Sequence, residues 1–141
     1  MEKNNFIYYN PNPKYLPMKN GKNKSWHKND WPIRAFCAVT GFSWDISFKH
    51  LMESAKRLKD LPTSKEVMGD ALSKVGFDFI TCGRPKIGEK RDTVSDFAKS
   101  HKSDICVCNI PGKFVACLDG NYFDTEDCGN TVVYSYWIKS K

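Results

Sequence analysis

Pro111-Gly112-Lys113-Phe114-Val115-Ala116-Cys117-Leu118-Asp119-Gly120, running on into Tyr122-Phe123-Asp124, is the stretch that decides the fold. Lys113 to Leu118 reads as one strand and Tyr122 to Asp124 as the next. Asp119-Gly120 between them is a strong hairpin signal, because both residue types tolerate the positive φ that tight hairpin turns demand. On either side, Asp104 to Asn109 and Thr131 to Ile138 carry the same strand character. The C-terminal part of the chain is therefore expected to be a meander of antiparallel strands.

The part before it has a different period. Asp30 stands as an N-cap and Pro32 suits a first helical turn, where its missing N–H does no harm. Ile33, Phe36 and Cys37 form a short apolar face, and Gly41 ends the helix. From Ser43 to Asp60, Phe48, Leu51, Met52, Ala55 and Leu58 recur at helical spacing. Leu61-Pro62 breaks that helix, and Thr63 with Glu66 makes a capping-box pattern for a third, closed by Gly76. Phe77 to Cys82 reads as a strand, Gly83 to Gly88 as a basic loop, and Thr93 to Lys99 as a short helix. Helices first and strands afterwards predict an α+β domain, with N-terminal helices packed on a C-terminal antiparallel sheet.

The chain of 141 residues suits a single domain spanning 1–141. Hydrophobic residues make up 40% and charged residues 27%, so there is material for one core and no disordered-type composition. No apolar run reaches the roughly 18 residues of a membrane helix. Met1 to Asn12 is polar and aromatic, unlike the basic-then-apolar pattern of a secretory signal. The expectation is a cytoplasmic protein without membrane association. Six cysteines are then expected to be free thiols, most of them buried. Cys106-Val107-Cys108 lacks zinc-ligand spacing and no histidine lies near it at ligand spacing, so neither metal nor cofactor is expected.

The formal net charge is +6. Lysines concentrate in a basic loop or arm at 10–28, opened by Asn10-Pro11-Asn12-Pro13, and a second basic cluster runs from Arg84 through Lys86 and Lys90 to Arg91. Ordinary solvated surface accounts for such charge; an acidic partner accounts for it more specifically. Tyr15 and Trp26 interleave with the lysines of the arm, a pattern that stacks on nucleic-acid bases.

Three segments in order carry a family resemblance. They are Phe6-Ile7-Tyr8-Tyr9-Asn10-Pro11-Asn12-Pro13, then Asn29-Asp30-Trp31-Pro32-Ile33-Arg34-Ala35 with Thr40-Gly41-Phe42-Ser43-Trp44, then Pro111 to Gly120 with Phe123-Asp124-Thr125. Together they resemble a family of small papain-like (cysteine-protease-fold) proteins of bacteria and phages, over nearly the whole chain. In that family an Asp-Cys dipeptide opens a helix, and a Gly-His dipeptide sits on a strand running into an Asp-Gly turn. The resemblance implies a papain-like fold, with the nucleophile position at Trp31, the base position at Lys113 and the orienting acid at Asp124.

The departures imply that chemistry is lost. A papain-type site needs a thiolate at a helix N-terminus, activated by the dipole and a neighbouring imidazolium. It also needs an imidazole that returns a proton to the leaving amine. Trp31 has no nucleophilic atom, and Lys113 has no imidazole to offer; an ion pair between Lys113 and Asp124 is the expected replacement. The expectation is a pseudoenzyme, with no catalytic residues, that binds a protein partner through Trp31, Lys113 and Tyr122, and through Trp26 in the arm. The resemblance to phage proteins makes an anti-CRISPR-type inhibitor of bacterial defence one candidate. Two alternatives stand beside it. One is a cysteine hydrolase with its nucleophile moved to Cys37, served by His27, His50 or His101. The other is a nucleic-acid-binding protein acting through the arm and through Arg84, Lys86, Lys90 and Arg91.

Overall fold

A computed structural model of the chain describes residues 4–14 and 28–141. Trp26, Tyr15, His27 and most of the basic arm lie outside the described residues.

The first strand, β1 (Phe6–Tyr8), is followed after the arm by a single 3-10 turn at Lys28–Asp30 and by α1 (Trp31–Thr40). Pro32 lies in the first turn of α1, and Gly41 closes it in the left-handed conformation, φ +76°. In that region a glycine avoids the Cβ clash that other residues meet. The second helix, α2 (Trp44–Leu58), is capped by the Ser43 hydroxyl accepting from the Ile46 amide. For α3 (Lys65–Lys74) the cap is Ser64, whose hydroxyl accepts from the Val67 amide. This corrects the expected Thr63–Glu66 capping box by one residue. Both candidates carry a hydroxyl, so sequence alone did not separate them.

After β2 (Phe77–Thr81) and α4 (Val94–Ser100) come β3 (Ile105–Ile110), β4 (Lys113–Leu118), β5 (Asn121–Asp124) and β6 (Ser135–Lys139). The β4–β5 turn is Asp119-Gly120 at φ +56° and +82°. Positive φ at both central residues is the mark of a type I′ turn, whose twist matches that of the strands. The preceding β3–β4 turn uses Pro111-Gly112, with Gly112 at φ +84°.

The domain is α+β, with four helices and a six-stranded sheet among the described residues, but the sheet is not purely C-terminal or purely antiparallel. Its order is β1-β5-β4-β3-β6-β2. β1 joins one edge parallel to β5, and β2 joins the other antiparallel to β6. The C-terminal strand is consequently interior, not the exposed edge its position in the chain first suggests. Asn5 ties the N-terminal strand down: its amide donates to the Ser95 and Gly120 carbonyls, both at 3.0 Å.

Two cores flank the sheet. On one face Phe36, Leu51, Met68 and Leu72 of the first three helices pack on Val107, Phe114, Ala116 and Trp137. On the other, Phe97 and Val94 of α4 pack on Cys106, Cys108, Val115, Cys117 and Tyr122. The strict alternation of β4 between the two sets is the period-2 rule at work. All six cysteines are free, and five are buried. No helix is long and apolar enough to cross a membrane, among the described residues.

Candidate functional site

The N-terminus of α1 points at a chain of four charged side chains. Asp30 precedes the helix, and Arg34 lies one turn into it. Arg34 binds the Asp30 carboxylate directly and reaches Asp124 Oδ1 on β5 at 3.4 Å. Lys113 Nζ, from the first residue of β4, stands 2.5 Å from Asp124 Oδ2. That approach lacks the alignment of a hydrogen bond, so the contact is Coulombic. The expected Lys113–Asp124 ion pair is present, and Arg34 extends it into a network. Two carboxylates face two cations, and three of the four groups are almost dry: Arg34 is 6% exposed, Asp30 8% and Asp124 4%.

Asp30 does not cap α1 with its side chain. Its second oxygen accepts from Asn12 Nδ2 at 3.0 Å and from the Trp44 indole N–H at 3.1 Å. A carboxylate already occupied by a guanidinium, an indole and an amide has no lone pair aimed back at its own helix. Asp124 Oδ1 likewise accepts from the Thr125 backbone amide at 2.7 Å. Beside it the Cys128 thiol is pushed up to about 12, by burial first and then by the Asp124 charge.

Trp31 and Lys113 do not face one another. The indole edge meets Phe114, centroids 5.0 Å apart at 75°, and Phe114 in turn meets Trp137 at 5.5 Å. Phe114 belongs to the α1-side core and Val115 to the opposite one. Alternation therefore turns Lys113 away from the face on which Trp31 rests, toward Asp124. Trp31 is partly buried in this aromatic row and serves the core.

Tyr122 is also core. It is 2% exposed, packs at a tilt against Phe6 with ring centroids 5.5 Å apart, and donates its hydroxyl to Asp127. Its expected role in lining a binding cleft is corrected accordingly: alternation along β5 turns it inward. Burial pushes its phenol up, the bond to Asp127 adding to the effect.

The expected substitute nucleophile fails on its surroundings. Cys37 is 1% exposed, and its thiol lies 3.2 Å from the Ser47 hydroxyl. Burial raises its pKa, which disfavours the thiolate. His50 stacks on Phe36 and Phe42 at 5.6 and 5.3 Å. His101 lies in the other half of the molecule, its Nδ1 bonded to the Phe97 carbonyl.

The basic residues of the 84–91 loop are separate again. Arg84, Lys86 and Lys90 are exposed, and Arg91 lies over the Tyr134 ring at 5.0 Å. Arg84, Lys90 and Arg91 line an open cavity that also holds Cys82, His101 and Tyr136. Sequence reading missed Arg34 as the hub, although Asp30 and Arg34 at i,i+4 carried the signal of a helical ion pair. It also missed Cys82, the exposed thiol. Among the described residues no group of three or more His, Cys, Asp or Glu is arranged to hold a metal ion.

Comparison with family models, with curated proteins and with solved structures gives no match to this chain.

Proposed function

We propose that the chain is a degenerate papain-like protein that binds a protein partner and does not hydrolyse it. One observation carries this reading: at the helix N-terminus where such a site would act, Asp30, Arg34, Lys113 and Asp124 are each matched by a charged partner within the fold. Asp30 and Arg34 at the helix start, Lys113 at the first residue of a strand and Asp124 on the neighbouring strand meet there, while Trp31 rests on the other face against Phe114. An indole packed into the core, and an ammonium paired with the acid, supply neither nucleophile nor proton shuttle. A buried thiol with a raised pKa, held against the Ser47 hydroxyl, argues against relocation to Cys37.

The partner class comes from the resemblance to phage proteins: a bacterial protein, a defence nuclease complex among the candidates. The test is retention of one host protein on the immobilised full chain, with mass spectrometry of what is held, run beside assays for peptide and amide hydrolysis. Stoichiometric retention without hydrolysis is expected. Turnover that disappears on Cys37→Ser or Cys82→Ser overturns the reading.

A further inference from the structure

The cavity beside β2 and α4 is built unlike the rest of the surface. β2 ends at Thr81, and the Cys82 amide donates to the Tyr134 carbonyl at 3.2 Å. The following loop then leaves the sheet and returns where the Val133 amide donates to the Asp92 carbonyl at 3.0 Å. Beneath it lies a cavity of about 340 Å³. That volume is in the range that takes a small organic ligand.

Its floor is aromatic. Phe97 and His101 stack at 3.9 Å and 18°, and Tyr136 meets them edge-on at 4.8 and 5.4 Å. Phe97 is buried, while His101 and Tyr136 are only partly covered. The bond from His101 Nδ1 to the Phe97 carbonyl, 3.0 Å, fixes the imidazole plane. Its rim is cationic: Arg84, Lys90 and Arg91 stand against Glu89 and Asp92, three positive charges less two negative, a net of +1. Arg91 is held in place by its position over Tyr134, which leaves the planar fork of the guanidinium ordered at the mouth.

We propose that this cavity binds a nucleotide unit. The planar base lies on one ring of the floor and meets the other, inclined at 60°, along its edge; the phosphate meets the guanidinium groups of Arg84 and Arg91, with Lys90 as a point charge. Aromatic side chains take a base by its face, whatever its identity. Guanidinium forks take a phosphate two bonds at a time. Neither half of the cavity alone selects such a ligand; an aromatic ring face next to a cationic rim does. The unit comes either as a free nucleotide or as one residue of a single strand, and the two sources differ in whether the phosphate is joined to a second nucleoside.

The test titrates the full chain with adenosine monophosphate, followed by the ring signals of His101 and Tyr136 in NMR spectra. Adenosine, inorganic phosphate and a short single-stranded oligoadenylate serve as the other arms. Saturable shifts of both rings are expected, with adenosine monophosphate also slowing alkylation of Cys82. The Arg84→Ala/Arg91→Ala variant should keep its melting temperature and lose roughly tenfold or more in affinity. Tighter binding of the oligoadenylate with the same shifts assigns the strand as the source; equal or weaker binding assigns the free nucleotide. Absence of saturation by either up to about 10 mM, or full affinity in the double variant, overturns the proposal.

Discussion

The α1 N-terminus and the β2–α4 cavity hold similar polar side chains and put them to opposite uses. At α1, Arg34 and Lys113 are matched by Asp30 and Asp124 in a nearly dry setting. At the cavity, three cations outnumber two carboxylates at an exposed rim, over half-buried rings. A balanced, buried network is a structural element: its charges hold one another. An unbalanced, open one has charge to offer. The place where the resemblance locates chemistry is thus the less reactive of the two regions, and the loop that looked like mere basic surface is the better candidate for recognition.

Arg34→Ala breaks this contrast most severely. It leaves two buried carboxylates facing one ammonium, and removing one partner of a buried ion pair costs about 3–5 kcal/mol. Denaturant unfolding should show that loss, whereas Arg84→Ala at the exposed rim should stay within about 0.5 kcal/mol of wild type. Equal effects at the two sites would erase the distinction. Next in size is Gly129→Ala. A Cβ there would run into the Tyr122 hydroxyl and lie 2.8 Å from the ring carbon that bears it. Tyr122 is buried and cannot swing away, so a loss of about 1–3 kcal/mol is expected from overpacking. A melting temperature equal to wild type would show that the Tyr122–Asp127 contact gives way freely.

Much of the fold was legible. The Asp119-Gly120 turn, the Lys113–Leu118 strand and Gly41 at the end of α1 each have a local cause, and each stands where the residue pattern puts it. What was not legible is long-range. Nothing in Phe6–Tyr8 announces parallel pairing with β5, more than a hundred residues on, and nothing in Phe77–Thr81 announces an edge place beside β6. The Lys113–Asp124 pair could be expected from position. The inward turn of Tyr122 and the packing of Trp31 on Phe114 could not, because they depend on which face of the sheet α1 covers. Cys82, His101 and Tyr136 come from three separate elements, and only folding brings them to one cavity.

A smaller effect sharpens the comparison through pH. The Tyr122 hydroxyl, and after it the Gly129 amide, hold the Asp127 carboxyl below the usual carboxylate range. A depressed folded-state pKa stabilises the fold above the unfolded value of about 3.9, and the contribution fades as pH falls through the folded value. Melting temperature should therefore fall between pH 5 and pH 3, approximately, more for wild type than for Asp127→Asn. Identical slopes would remove Asp127 from the account. Thr93→Ala is expected to cost less than Arg34→Ala or Gly129→Ala: the Thr93 hydroxyl accepts from the Asp96 amide at 3.3 Å. Losing that cap on α4 should cost about 1 kcal/mol, and loosen the floor of the cavity without touching the α1 network.

The most direct measurement is alkylation of the native protein by a thiol reagent at mildly alkaline pH, with each modified cysteine mapped by mass spectrometry. Cys82 should label in the folded protein, slowed because burial pushes its thiol up, and Cys37 only after unfolding, with no hydrolytic activity altered by either. Stoichiometric labelling of Cys37 in the folded protein, together with loss of a hydrolytic activity, would contradict the proposal that the chain binds a partner and does not hydrolyse it.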